Sequence, residues 1–153
     1  MALILLRHTT PDVAPGICYG HTDLGVACSF PVEAETALAN LPEVRTIATS
    51  PLLRCRVLAE FIGDRLDLQV EQDPRLMEMN FGTWEGHAWS DIPRPELDAW
   101  AKDFFHARPH RGESVAMVQT RTQAALQEWR ARDAAALLVT HAGIIRTAAA
   151  KGQ

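Results

Sequence analysis

Four basic side chains follow apolar runs that lie far apart in the sequence. An arginine can bind two phosphate oxygens at once, and a histidine near neutral pH can act as nucleophile, hydrogen-bond donor or acid–base group. Two of each would suit the binding and transfer of a phosphoryl group. Taken singly, such a residue is more often a surface or capping group, so the inference depends on their coincidence. The residues are Arg7, His8, Arg54 and His141.

The apolar runs before these residues predict strands of a parallel sheet. Ala2–Leu6, Val44–Thr49 and Ala135–Thr140 are rich in apolar and β-branched residues, as expected of strands buried on both faces, and Leu66–Val70 predicts one more. In open parallel sheets, ligands bind outside the carboxyl ends of the strands. We therefore expect the four basic side chains to share one pocket.

The segments between these strands have the spacing or the end signals of helices. Ser50 is a suitable helix cap and Pro51 suits the first helical position, so we expect Arg54 in the first turn, where backbone N–H groups and the helix dipole attract anions. The segments Thr9–Asp23 and Pro74–Gly112 are expected to be largely irregular. The predicted helices are Glu33–Leu41, the helix that begins at Ser50, Glu96–Phe105, Ser114–Arg130 and Gly143–Ala150.

The alternation of strands and helices predicts an α/β fold, with a mainly parallel central sheet and helices on both faces. The length of 153 residues suits one domain, residues 1–153. With 15 basic and 19 acidic side chains the net charge is −4, and no basic run is present. This composition argues against a nucleic-acid or membrane partner. Any anion must be bound by a few well-placed cations.

The three cysteines, Cys18, Cys28 and Cys55, are odd in number and form no CxxC pair. Reduced thiols and a cytoplasmic location are therefore expected. No apolar run is long enough for a signal peptide or a membrane span. The oligomeric state stays open, with a homodimer as one candidate.

Four motifs resemble, in order, the signature segments of the histidine phosphatase superfamily, the phosphoglycerate mutase-like proteins. The resemblance implies a phosphoglycerate mutase-like fold and metal-independent hydrolysis of a small phosphomonoester through a phosphohistidine, with no cofactor. RHTTP and the GICYGHTD of residues 16–23 look most like the phosphatases of cobalamin biosynthesis that act on alpha-ribazole 5'-phosphate. The four motifs are LLRHT at 5–9, SPLLRC at 50–55, RLMEMNFGTWEG at 75–86 and VTHAGIIR at 139–146.

The resemblance also implies a catalytic role for each matching residue. His8 would attack phosphorus as the nucleophile. Arg7 and Arg54 would neutralise the phosphoryl oxygens, and His141 would donate a further hydrogen bond to them. Glu78 would protonate the leaving alkoxide and then activate the water that hydrolyses the phosphoenzyme.

Three hydroxyl side chains are further candidates for substrate binding. Thr9 and Thr10 follow the first motif, and Ser114 belongs to a GES stretch that often precedes the long helix in these phosphatases. Each suits a turn or a helix cap equally well. Without the family pattern, Glu78 cannot be preferred to Glu85 as the catalytic acid.

Three alternatives remain open at this point. A metal hydrolase could use His106 and His110, but Pro109 interrupts a helix through the pair and no further ligands complete a site. Phosphoglycerate mutase-type phosphoryl transfer is the competitor within the family. Relatives continue well beyond the last motif, whereas this chain stops at Gln153, so we expect a C-terminal edge element of the sheet to be absent. A truncated, non-catalytic phosphate-binding protein is the third alternative.

Overall fold

A computed structural model of the chain describes residues 2–132 and 135–150. Within them, helices cover both faces of a four-stranded parallel sheet, so the predicted α/β fold is confirmed. No helix in this part of the chain is long and apolar enough to cross a membrane. The strands are β1 (Leu3–Arg7), β2 (Thr46–Thr49), β3 (Val70–Gln72) and β4 (Ala136–Thr140), and the helices are α1 (Phe30–Ala39), α2 (Leu53–Leu66), α3 (Arg94–Lys102), α4 (Val115–Ala131) and α5 (Ala142–Ala150).

The sheet order β1-β4-β2-β3 makes β1, β4 and β2 neighbours. Arg7 pairs with Thr140, and Thr49 pairs with Val139, so these three strands end almost level with one another. The residues that follow the strands therefore meet at one edge of the sheet, as predicted. The expected loss of an edge element concerns the chain beyond Ala150, and residues 151–153 lie outside the described residues.

Strand β4 carries the core on both of its faces. Leu137 and Val139 pack in the apolar cluster with α1 and α2, while Leu138 packs in the cluster on the opposite face with Trp129 of α4. Burial of each leucine side chain contributes on the order of 2 kcal/mol. The alternation fixes the register of β4, because a slip by one residue would exchange the two faces. The position of His141 after β4 is fixed with it.

The prediction of a strand at Leu66–Val70 is wrong. Helix α2 continues to Leu66 and ends at Asp67, whose φ of 55° is left-handed. The residues after Asp67 form the turn back toward the sheet. Strand β3 therefore begins only at Val70, which pairs with Ile47. The run of alternating residues thus spans a helix end, a turn and one strand residue.

The predicted start of α2 is also wrong by two residues, since Pro51 was expected at the first helical position. Leu52 is extended, and the helix begins at Leu53 without a cap from its own side chains. The Ser50 hydroxyl accepts a hydrogen bond from Leu52 N. Asp23 lies in the long loop between β1 and α1, residues 8–29, and its carboxylate accepts from Leu53 N at 2.7 Å. Arg54 does lie in the first turn, as predicted, but an acidic side chain already binds this helix N-terminus.

Candidate active site

His8 follows β1 and lies in the wall of an open cavity of about 440 Å³. Its Nδ1 is 2.7 Å from the carbonyl oxygen of Thr9. A carbonyl oxygen only accepts, so Nδ1 must carry the proton and Nε2 keeps its lone pair. Arg7 and Glu78 line the same cavity. A ring nitrogen with a lone pair, a cation and a carboxyl group are thus available to one ligand. Arg54 and His141 were expected in the same pocket, but both are fully buried and do not line this cavity.

The environment of His8 keeps its imidazole neutral. Burial is the largest cause, and the positive charges of Arg54 and Arg7 add to it, so the pKa of His8 falls from 6.5 to about 4. A neutral imidazole has the lone pair that a nucleophile requires. The same arginines that would attract an anion therefore also help to keep the His8 imidazole deprotonated.

His141 lies beneath His8, with ring centroids 5.2 Å apart. It is fully buried, and its Nε2 is 2.8 Å from the Ser50 hydroxyl. Burial, then the charges of Arg54 and His8, lower its pKa to about 2. His141 is therefore neutral at physiological pH, and the positive charge of the site comes from the arginines.

Arg54 is also fully buried, and its position is fixed by the long loop. Its two terminal nitrogens donate to the carbonyl oxygens of Gly20 and Thr22, at 2.7 and 2.8 Å. Its Nε and the hydroxyl of Thr9, the residue after His8, have no hydrogen-bond partner among residues 2–132 and 135–150. Buried polar groups without partners are costly, so both donors would gain from an acceptor supplied by a ligand.

Two of the predicted substrate-binding hydroxyls have other partners. Thr10 is exposed, and its amide and hydroxyl both donate to the carboxylate of Glu33 on α1. Ser114 caps α4 by accepting from Met117 N at 3.1 Å. Neither lines the cavity. These are the local turn and cap roles that short hydroxyl side chains also satisfy.

The structure separates Glu78 from Glu85. Glu78 lines the cavity, and its two carboxylate oxygens accept from Met79 N and from Gly143 N at the start of α5. Glu85 instead accepts from the backbone of Gly20 and from the amide and hydroxyl of Thr22. Burial opposes ionisation of Glu85, but these bonds outweigh it and lower its pKa. Glu85 therefore anchors the loop that carries Tyr19, while Glu78 lines the cavity.

Arg121 of α4, which has no signal in the sequence pattern, supports the segment that carries Glu78. Its side chain is about four-fifths buried. It donates to three backbone carbonyl groups and to both carboxylate oxygens of Glu113, and so joins α4 to that segment. The carbonyl groups are those of Arg75, Met77 and Glu78.

The histidine pair considered for a metal is separated in the fold. His110 is buried, with Nε2 2.6 Å from the carbonyl oxygen of Glu113, whereas His106 is exposed and packs against Phe105. Over the described ranges, no three histidine, cysteine or acidic side chains are grouped closely enough to hold a metal ion.

Comparison with known proteins gives consistent matches. Residues 3–152 match the model of the histidine phosphatase superfamily (branch 1). The chain is 30% identical to glucosyl-3-phosphoglycerate phosphatase of Mycobacterium tuberculosis, over 94% of this chain and 71% of that protein. It is 28% identical to adenosylcobalamin/alpha-ribazole phosphatase of Escherichia coli, over 95% of this chain and 75% of that protein. The solved structure of a mycobacterial glucosyl-3-phosphoglycerate phosphatase superposes with a TM-score of 0.83, at 29% identity, covering 97% of this chain and 77% of that one.

Arg121→Lys should impair proton donation by Glu78 more than it impairs phosphate binding. A lysine ammonium cannot bond three carbonyl groups and a carboxylate together. We expect kcat/KM for an alkyl phosphate to fall about tenfold to a hundredfold. p-Nitrophenyl phosphate should lose much less, because its leaving group departs without a proton. Arg130→Gln, an exposed change on the same helix, is the control. Equal losses for both esters would contradict the positioning role.

Gly143→Ala should separate stability from activity. An added methyl group at Gly143 would overlap the carboxylate of Glu78. Alanine is better than glycine in a helix by up to about 1 kcal/mol, so thermal unfolding should occur at the same or a higher temperature. We expect kcat/KM for alkyl phosphates to fall about tenfold, because the carboxylate is displaced. Full activity in the variant would show that the position of this carboxylate does not matter.

Acid should destabilise the fold through the buried histidines. Between pH 6.5 and about 4 the unfolded chain binds a proton at His8 that the folded chain does not. Stability from this group is therefore complete above pH 6.5 and is lost as the pH falls toward 4. We expect His8→Asn to reduce the loss of unfolding free energy across this interval by on the order of 1–3 kcal/mol. Denaturant unfolding at several pH values measures this change in unfolding free energy, and His87→Asn, at an exposed site, is the control. Identical pH dependence in both variants would refute it.

Proposed function

The chain belongs to the histidine phosphatase superfamily, branch 1, and is a phosphatase, and we propose that it hydrolyses small-molecule phosphomonoesters without a metal, through a phosphohistidine at His8. One observation carries the proposal. The Nδ1 of His8 is bound to the Thr9 carbonyl, so the lone pair of Nε2 is available in the cavity that Glu78 also lines. A non-catalytic role is not supported, since the relatives are named as enzymes.

In the first step, Nε2 of His8 forms a bond to phosphorus while the bond from phosphorus to the ester oxygen breaks. Arg7 and Arg54 stabilise the charge on the phosphoryl oxygens, where most of the catalysis of phosphoryl transfer arises. Glu78, in its protonated form, gives its proton to the departing oxygen. The products are a free alcohol and phosphohistidine.

In the second step, the carboxylate of Glu78 removes a proton from water as the water oxygen bonds to phosphorus. The bond between phosphorus and Nε2 of His8 breaks, which releases inorganic phosphate. His8 returns to its neutral form, and Glu78 again holds the proton it needs for the next substrate.

We propose alpha-ribazole 5'-phosphate as the first substrate to test. The loop of residues 16–23 resembles the phosphatases that act on it, and the Escherichia coli relative is named for it. Glucosyl-3-phosphoglycerate, named for the mycobacterial relative, is the second. The free thiols of Cys18, Cys28 and Cys55 favour a reducing, cytoplasmic location for this reaction.

His8→Ala should abolish a covalent phosphoenzyme. After brief mixing with labelled substrate and quenching in base, we expect acid-labile, base-stable label on the unchanged protein and none on the variant. Hydrolysis of p-nitrophenyl phosphate should persist in EDTA, be inhibited by vanadate and release inorganic phosphate.

Label that survives in His8→Ala would exclude His8 as the nucleophile. A strict need for a divalent metal would contradict the mechanism. Transfer of the phosphoryl group to phosphoglycerate, in place of release to water, would identify a mutase instead.

A further inference from the structure

The cavity extends beyond Arg7, His8 and Glu78, and five of its lining side chains are aromatic. Tyr19 comes from the loop between β1 and α1, Trp100 lies on α3, and the other rings come from the irregular parts of the segment between β3 and α4. Glu78 and these rings line the same cavity, so the rings border the carboxyl group that the proposed mechanism assigns to the leaving group. The rings are those of Tyr19, Phe81, Trp89, Trp100 and Phe104.

These rings hold one another in position. Trp89 and Trp100 are nearly parallel, with an interplanar angle of 14° and centroids 6.2 Å apart. Trp84 packs edge-on against Trp100 from behind, and its Nε1 donates to Glu96 of α3. Tyr19 is held from below by the Arg54 guanidinium, 5.1 Å from its ring centroid. The wall is therefore formed before a ligand binds, which lowers the ordering cost of binding.

The rim of this wall leaves apolar surface in water. Phe104 lines the cavity, and its ring centroid is 4.9 Å from that of Trp100, yet its side chain is 53% exposed. A small polar leaving group would leave this surface wet, whereas a ring system would cover it and make stacked or edge-on contacts. Apolar walls with few placed polar groups are typical of sites for such ligands.

We propose that this aromatic wall makes the enzyme selective for phosphomonoesters whose leaving group carries an aromatic ring system, with fused rings preferred to a single ring because they cover more of the wall. The proposal rests on the proposed function, since it assumes that phosphate is transferred to His8. It assigns Trp100 and Phe104 to the recognition of the leaving group and assigns no chemical step to them.

Arg146 of α5 is the feature that favours a different substrate class. It also lines the cavity and could pair with an anionic leaving group such as glycerate. Its side chain is exposed, however, and its Nε is 3.4 Å from the carbonyl oxygen of Ala142. Solvent screens an exposed cation strongly, so it contributes less selectivity than a preformed apolar wall.

Two pairs of esters test the proposal with leaving-group acidity held nearly constant. 2-Naphthyl phosphate should exceed phenyl phosphate in kcat/KM by about tenfold or more, since each added carbon in an apolar pocket favours binding. Benzyl phosphate should exceed 3-phosphoglycerate, because both are esters of alcohols and only the first carries a ring.

Phe104→Ala and its neighbour Phe105→Ala form a matched pair of variants. Both side chains are exposed phenylalanines, but only Phe104 lines the cavity. We expect Phe104→Ala to lower the ratio of naphthyl to phenyl kcat/KM by about twofold to tenfold, and Phe105→Ala to leave it unchanged. Inhibition by inorganic phosphate should be the same in both variants, because the phosphate end of the site is intact.

The results separate the two claims. Absence of a phosphoenzyme with every ester would refute the proposed function. If the His8 phosphoenzyme forms, equal rates for naphthyl and phenyl esters, equal effects of the two variants, or a preference for 3-phosphoglycerate over benzyl phosphate would each overturn the aromatic selectivity alone.

Discussion

The rest of the site depends on a neutral, oriented imidazole at the end of β1. Burial and two arginines favour the uncharged form of His8, and the Thr9 carbonyl directs its lone pair to Nε2. Neither condition can be met on an isolated strand. The sheet order meets both conditions because β1, β4 and β2 end side by side. The His8 ring therefore lies next to the His141 ring and within range of the charge of Arg54.

The electrostatics also explain how a chain of net charge −4 can form an anion site. Two histidines near arginines could give a strongly positive cluster, but burial keeps both imidazoles neutral. The positive charge that acts on His8 then comes from Arg7 and Arg54. Arg54 is held by loop carbonyl groups, so its charge is not neutralised by a carboxylate bond. The site therefore attracts phosphate without protonating its own nucleophile.

The ends of β1, β2 and β4 could be predicted from the sequence, because hydrophobic periodicity is a local property. The four motifs follow three of the predicted strands or lie between them. The sequence could not decide between Glu78 and Glu85, since only the fold shows which carboxylate the loop amides occupy. The role of Arg121 depends on partners more than 40 residues away in the chain. The predicted start of α2 was wrong for the same reason, because the carboxylate that caps this helix belongs to Asp23, 30 residues before it in the chain.

A crystal structure with bound vanadate would show which atom of His8 attacks phosphorus, because vanadate adopts the five-coordinate geometry of phosphoryl transfer. We predict a bond from vanadium to Nε2 of His8, equatorial oxygens in contact with Arg7, Arg54 and His141, and Glu78 at the apical oxygen opposite His8. Vanadium bonded to Nδ1, or bound away from His8, would show that Nε2 of His8 is not the nucleophile.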